Sequence, residues 1–203
     1  MSERPRSRWE EMIERNPDHS VWYAERFRQM AAAGQDLDGE ARTVDALAAR
    51  GARILDAGCG PGRVGGELAR RGHTVVGVDI DPYLVSVAEQ EHPTATWIVG
   101  DVSALDLAAA GVAEPFDVVV CAGNVVTFLA PGTVRAALAG IRAHLVPGGR
   151  AMIGFGAGRG VEFREFLEDA QAVGLVPDLL LSTWDLKPFE ADSDFLVAVL
   201  RAA

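Results

Sequence analysis

Cysteine, positive charge and long apolar runs are all scarce in this 203-residue sequence, and each scarcity excludes a class of protein. Cys59 and Cys121 are the only cysteines. Two thiols cannot staple a disulfide scaffold and do not sit in metal-ligand spacing, so a reducing cytoplasm suits the chain. His19, His73, His92 and His144 stand apart from one another and from acidic partners, so no metal site is expected. Nineteen Lys and Arg against 29 Asp and Glu leave a net charge of −10. A general nucleic-acid binder needs a basic surface to neutralise phosphates, and that class is disfavoured. The longest weakly polar run, Val118 to Ala130, is interrupted by Asn124 and falls short of the roughly 18 apolar residues a spanning helix needs. Met1 to Arg8 carries arginines with no apolar stretch behind them, unlike a secretory signal. A cytoplasmic protein touching neither membrane nor nucleic acid is the expectation, with small molecules or proteins as its targets.

Apolar residues make up 49% of the chain, enough for one sizeable core, and the length suits one domain over residues 1–203. The first 50 residues read as helical. Asn16-Pro17-Asp18 makes a start signal, Ala24, Phe27 and Ala31 recur at helical spacing, and Gly34 stops the pattern. A second helix is expected over Gly39 to Arg50. From Arg53 the period changes: apolar runs at Ile54 to Ala57, Thr74 to Val78, Thr96 to Val99, Phe116 to Cys121 and Ala151 to Phe155 read as buried parallel strands. Between them lie helical stretches at Val64 to Arg71, at Pro82 to Glu91 with Asp81 as its cap, and at Thr133 to Leu145. This alternation predicts a doubly wound α/β sheet. Val176 to Leu181 and Phe195 to Leu200 follow without a helix between them, as an antiparallel pair would.

The most informative segment is Ile54-Leu55-Asp56-Ala57-Gly58-Cys59-Gly60-Pro61-Gly62-Arg63, a strand running into a glycine turn and then a helix. Glycines allow a sharp turn and a close backbone approach to a ligand at the carboxyl end of the first strand, where open α/β sheets bind. A tight structural turn is the plainer alternative. The dinucleotide fingerprint wants a glycine at the sixth position from Gly58, and Arg63 stands there. Thr74 to Val78 leads into Asp79, an acid able to accept hydrogen bonds from both hydroxyls of a ribose. Asp79 indicates a nucleoside without choosing the cofactor. Val99-Gly100-Asp101-Val102 ends the third strand in another acid. A helix cap or a solvated charge is the alternative for any one acid, but three signals in order at successive strand ends are hard to obtain by chance.

With Asp56, Gly58, Gly60 and Gly62 in a G-x-G-x-G turn and Asp79 and Asp101 behind it, the chain resembles the class I S-adenosylmethionine-dependent methyltransferases over Arg53 to Phe155. The resemblance implies a Rossmann-like seven-stranded sheet, mostly parallel with an antiparallel last strand. Residues 1–52 would form a helical cover, 53–155 the cofactor-binding core, and 156–203 a C-terminal helix with the antiparallel strand pair. It implies contacts to S-adenosylmethionine from Asp56, Gly58, Gly60, Gly62, Asp79, Ile80, Asp101, Val102, Cys121 and Gly123, with Asp101 meeting the adenine amino group and S-adenosylhomocysteine as the product. The Pro-Pro-aromatic run of the base-amino methyltransferases is missing after Asn124, as is the Pro-Cys of the cytosine-C5 enzymes, so base methylation is disfavoured.

Substrate contacts are expected from segments flanking that core: Trp22, Tyr23 and Arg26 on the N-terminal helix, Asn124 after the fourth strand, Arg159 in a glycine-rich loop, and Trp184 and Phe189 between the last two strands. Simple packing or solvation is the alternative for each. No residue is singled out as a general base, and orientation by the protein is enough for this chemistry. The expected function is methyl transfer to a small metabolite. The alternatives are a protein methyltransferase, a cofactor-binding regulatory protein without turnover, and more remotely a nicotinamide oxidoreductase, against which Arg63 counts.

Overall fold

The structure, a computed structural model, describes residues 4–203. Three helices open the chain: α1 (Arg8–Arg15), α2 (His19–Ala32) and α3 (Gly39–Leu47). Then come β1 (Arg53–Ala57), α4 (Arg63–Arg70), β2 (Thr74–Asp79), α5 (Pro82–Glu91), β3 (Thr96–Val99) and a 3-10 turn at Val102–Ala104. The second half holds β4 (Phe116–Cys121), the short α6 (Val125–Phe128), α7 (Val134–Ala143), β5 (Leu145–Gly156), α8 (Phe163–Ala172), β6 (Leu175–Leu181) and β7 (Phe195–Ala202).

The seven strands form one sheet in the order β3-β2-β1-β4-β5-β7-β6. Pairing is parallel from β3 across to β5, and β7 runs antiparallel to both β5 and β6. Alternation along the strands divides the core. Leu55, Val119, Cys121, Ile153 and Phe155 pack toward α7 and α8, whereas Ile54, Val118, Val120 and Met152 pack toward α3 and α4. Both faces are covered, so the central strands read as continuous apolar runs. The chain winds outward from β1 to β3 on one side and from β4 on the other, leaving a switch point between β1 and β4 where ligands bind in such sheets. Among the described residues no helix is long and apolar enough to cross a membrane.

Element boundaries depart from the expectations in several places. The helix expected over Gly39 to Arg50 ends at Leu47, because Ala48 takes extended dihedrals of −88° and 149°. The helix expected over Thr133 to Leu145 ends at Ala143, and the strand expected from Ala151 already begins at Leu145. Leu145 pairs with Phe116, a bulge takes up Pro147-Gly148-Gly149, and pairing resumes at Val118 with Arg150, so the turn residues sit inside a strand. At its other end β5 runs one residue past the expected Phe155, to Gly156, which pairs with Phe195 of β7. Ahead of the Asn16-Pro17-Asp18 start signal, α1 adds a helix with a full capping box between Ser7 and Glu10.

Candidate functional site

The glycine turn after β1 is held by backbone bonds from Gly58 N and Cys59 N to the carbonyl of Val78, at 2.8 and 3.0 Å. It thereby sits against the end of β2, where Asp79 accepts from Gly60 N at 2.8 Å and from Asp81 N at 3.0 Å. Asp101 follows β3 and accepts from Ser103 N and Oγ. These strand ends converge on one cavity of about 70 Å³ that opens towards solvent. Its floor is Gly58, Gly60, Asp79, Ile80, Asp101, Val102, Ala122 and Gly123, and its walls are Leu84, Val125, Phe128 and Leu129. A wider cleft lies between α2, α4 and α5, away from the switch point. Its charges answer one another, as in Arg28 with Glu91 at 2.7 Å and Arg63 with Glu40 at 2.6 Å, and strand ends do not open into it.

The N-terminal helices roof the cavity with Ser7, Trp9 and Tyr23. Trp9 meets Tyr23 and Phe128 edge to face at 5.1 and 5.7 Å. Both helices are tied down by one carboxylate. Asp81 caps α5 through Tyr83 N and Leu84 N, and its other oxygen accepts from Trp9 Nε1 at 2.9 Å and Ser20 Oγ at 2.5 Å. Arg8 adds a third tie, donating to the carbonyls of Thr127 at 3.2 Å and Arg159 at 2.7 Å.

Burial sets the electrostatics. Asp79 is pushed up to about 6 by desolvation, against the pull of its backbone donors, and Asp56 is pushed up to about 7 for the same reason. Burial also raises the Tyr23 hydroxyl, so at neutral pH it keeps its proton.

Several expected contacts are made elsewhere. Asp56 points to the α4 face, where Oδ2 accepts from Gly65 N at 2.8 Å, because strand alternation turns it away from Leu55 and Ala57. Gly62 faces α5, where an added Cβ would stand 2.8 Å from Ala88. Cys121 lies wholly in the α7–α8 core, and Cys59 packs with Val85, Ala88 and Trp97. Burial drives both thiols up, which makes them inert packing groups.

Of the substrate-side candidates, only Tyr23 lines the cavity. Trp22 is 54% exposed on α2, and Arg26 stacks over it at 5.9 Å. Asn124 adopts a left-handed φ of 66° and accepts from Gly156 N at 2.8 Å, tying the β4–α6 turn to β5. Arg159 is exposed and lends only its carbonyl to Arg8. Trp184 covers Gly154 on the α3 face and accepts from the Thr43 hydroxyl, whereas Phe189 packs on Phe163 at 5.5 Å. The two aromatics of that connection serve opposite faces of the sheet. Ser7, Trp9 and Phe128 were not foreseen. The Ser7-x-x-Glu10 cap was visible in the sequence, but nothing local says that α1 folds over the strand ends.

Residues 54–149 match the family described as a methyltransferase domain. A TehB-like S-adenosylmethionine-dependent methyltransferase from Corynebacterium glutamicum superposes with a TM-score of 0.87 at 52% identity, over 93% of this chain and all of that one. The magnesium-protoporphyrin O-methyltransferase of Rhodobacter capsulatus is 41% identical over 90 residues, which is 42% of this chain and 38% of that protein. A ubiquinone biosynthesis O-methyltransferase of Xylella fastidiosa is 36% identical over 106 residues, 51% of this chain and 41% of its own length. The matched stretch thus spans about two fifths of either curated relative.

Proposed function

Because the chain belongs to the class I S-adenosylmethionine-dependent methyltransferases, we propose that it transfers the methyl group of that cofactor to a small-molecule acceptor. The observation that carries this reading is one cavity at the β1–β4 switch point floored by Gly58, Gly60, Asp79 and Asp101 and roofed by α1 and α2. The residues fit the cofactor. An added Cβ at Gly60 would meet nothing closer than Tyr23 at 3.7 Å, so backbone is open to a ligand there. In this reading Asp79 accepts from ribose hydroxyls and Asp101 from the adenine amino group, with Ile80 and Val102 as apolar neighbours to the base, and it is supported by all four lining the cavity. When bound, S-adenosylmethionine supplies an activated methyl group on a sulfonium centre, which an acceptor nucleophile attacks.

The protein's part is to bind, orient and exclude water. The Tyr23 hydroxyl holds its proton at neutral pH and is available in the cavity to donate a hydrogen bond to a ligand. Among the described residues no histidine lines the cavity. Alignment alone supplies on the order of 7–11 kcal/mol in such reactions, so an acid–base group is not required. The roof favours a compact acceptor, since an extended protein segment would have to displace Trp9 and Tyr23 from their packing. The two curated relatives are named for small-molecule pathways, which supports the same class.

The test is incubation with methyl-labelled S-adenosylmethionine and a deproteinised metabolite extract, beside a protein fraction from the same cells. Label in small molecules is expected. Label confined to protein overturns the acceptor class, and label in neither fraction overturns turnover itself.

A further inference from the structure

Asp101 is the carboxylate of the cavity floor that a cation distant in sequence reaches. Its Oδ1 accepts from Ser103 N at 2.8 Å and Ser103 Oγ at 2.7 Å, which closes the 3-10 turn after β3. Its Oδ2 accepts from Arg4 Nη1 at 2.9 Å, a residue 97 positions away in sequence. An ionised carboxylate offers about four acceptor sites, and these three donors leave one. Asp101 lines the cavity beside apolar Val102, Leu84 and Leu129, where a carboxylate with no cation would be poorly compensated.

Arg4 is itself fixed. Its guanidinium makes a fork on Glu10, with Nη2 to Oε1 at 2.5 Å and Nη1 to Oε2 at 3.0 Å. Glu10 is held in turn by Ser7 N at 2.8 Å and Ser7 Oγ at 2.9 Å, the capping box of α1. Arg4 above all holds Glu10 down to about 2, so this carboxylate stays ionised and the fork stays charged. The cap of α1, Glu10, Arg4 and Asp101 thus form one connected series from roof to floor.

We infer that Arg4 is a positioning residue for the cofactor's base: it orients and neutralises Asp101 so that the remaining acceptor site meets the adenine amino group. This rests on the reading of Asp101 under Proposed function, and it assigns a selectivity role to a residue outside the glycine–acid motif. The role is electrostatic and geometric, so a lysine fulfils it only in part: the charge is kept and the fork on Glu10 is lost.

Two ligands separate this role from mere support of α1. S-adenosylhomocysteine carries the 6-amino group, and S-inosylhomocysteine carries a 6-oxo group in its place. Titration calorimetry on the full chain should show Arg4→Gln weakening the amino ligand about fivefold, the upper range of a half-exposed pair, with less than twofold change for the oxo ligand. Arg4→Lys should recover part of the loss, and Arg4→Gln should have no further effect on an Asp101→Asn background. Equal weakening of both ligands overturns the inference, since loss of α1 support does not distinguish the bases, and an unchanged affinity for both overturns it as well. If Asp101→Asn leaves the preference for the amino ligand intact, the assignment of Asp101 to adenine fails first, and the role of Arg4 falls with it.

Discussion

Gly58→Ala tests whether the turn after β1 is shaped by packing as well as by the ligand. Gly58 has a φ of +82°, and an ideal Cβ there would lie 2.3 Å from Val125 Cγ2 and 2.5 Å from Cγ1. Placing a side chain in the left-handed region costs about 1–2 kcal/mol. Forcing a methyl into occupied space costs about 1–3 kcal/mol more. The variant should therefore lose about 2–5 kcal/mol, a large share of the 5–15 kcal/mol that domains generally have. Val125→Ala removes both clashing carbons, leaving Val125 Cβ at 3.0 Å as the nearest group. In that background Gly58→Ala should cost the backbone part, about 1–2 kcal/mol, plus only the small adjustment that the 3.0 Å contact needs. Urea unfolding of the four proteins of this cycle, with unchanged m-values, measures the difference. Strict additivity of the two substitutions would refute the argument, because it would mean that Val125 yields at no cost and the contact does not shape the turn.

Gly60→Ala should behave oppositely. Its φ of +53° costs the backbone about 1–2 kcal/mol, but the nearest atom is Tyr23 Cε1 at 3.7 Å, so the methyl enters ligand space. Calorimetry should show S-adenosylhomocysteine weakened about tenfold or more, one RT ln 10 step, and full affinity would remove Gly60 from the site. Asp81→Ala removes an α5 cap and orphans the buried donors of Trp9 and Ser20, so thermal or urea unfolding should report a loss of about 2–4 kcal/mol. A loss near zero would mean that Asp81 does not tie the roof. Stability should fall from pH 5 to pH 8 by on the order of 2–4 kcal/mol, measured by urea midpoints without ligand. Asp56 and Asp79, raised by burial to about 7 and about 6, bind more protons folded than unfolded in that window. The depressed carboxylates of Glu10, Asp36 and Asp45 are already ionised there in both states, whereas His92, lowered by burial, gains stability as pH rises and offsets part of the fall, so a net rise would contradict the burial of the two acids. Finally, Cys59 and Cys121 should resist alkylation by iodoacetamide in the native protein and react only on unfolding, and rapid native labelling seen by mass spectrometry would show that a thiol is accessible.

What the chain alone determined is the sheet and the floor of the site. Apolar runs of strand length alternating with capped helices are local patterns, and they located all seven strands. Gly58, Gly60, Asp79 and Asp101 were legible for the same reason: each ends or follows a strand, and parallel winding brings those ends to one edge. Asp56, Gly62 and Cys121 belong to the same motif in sequence, yet alternation along a strand and the start of α4 turn them into the packed faces. The roof was not legible. Trp22 and Tyr23 are neighbours on one helix, and only the way α2 docks on the rest of the fold decides that one is solvent-exposed and the other lines the cavity. Trp184 and Phe189 share a loop and pack on opposite faces. Arg4 reaches Asp101 across 97 residues. Such contacts depend on how finished elements dock, a property of shape and long-range packing that no local period encodes, and so only the tertiary structure decided which side chains close the site.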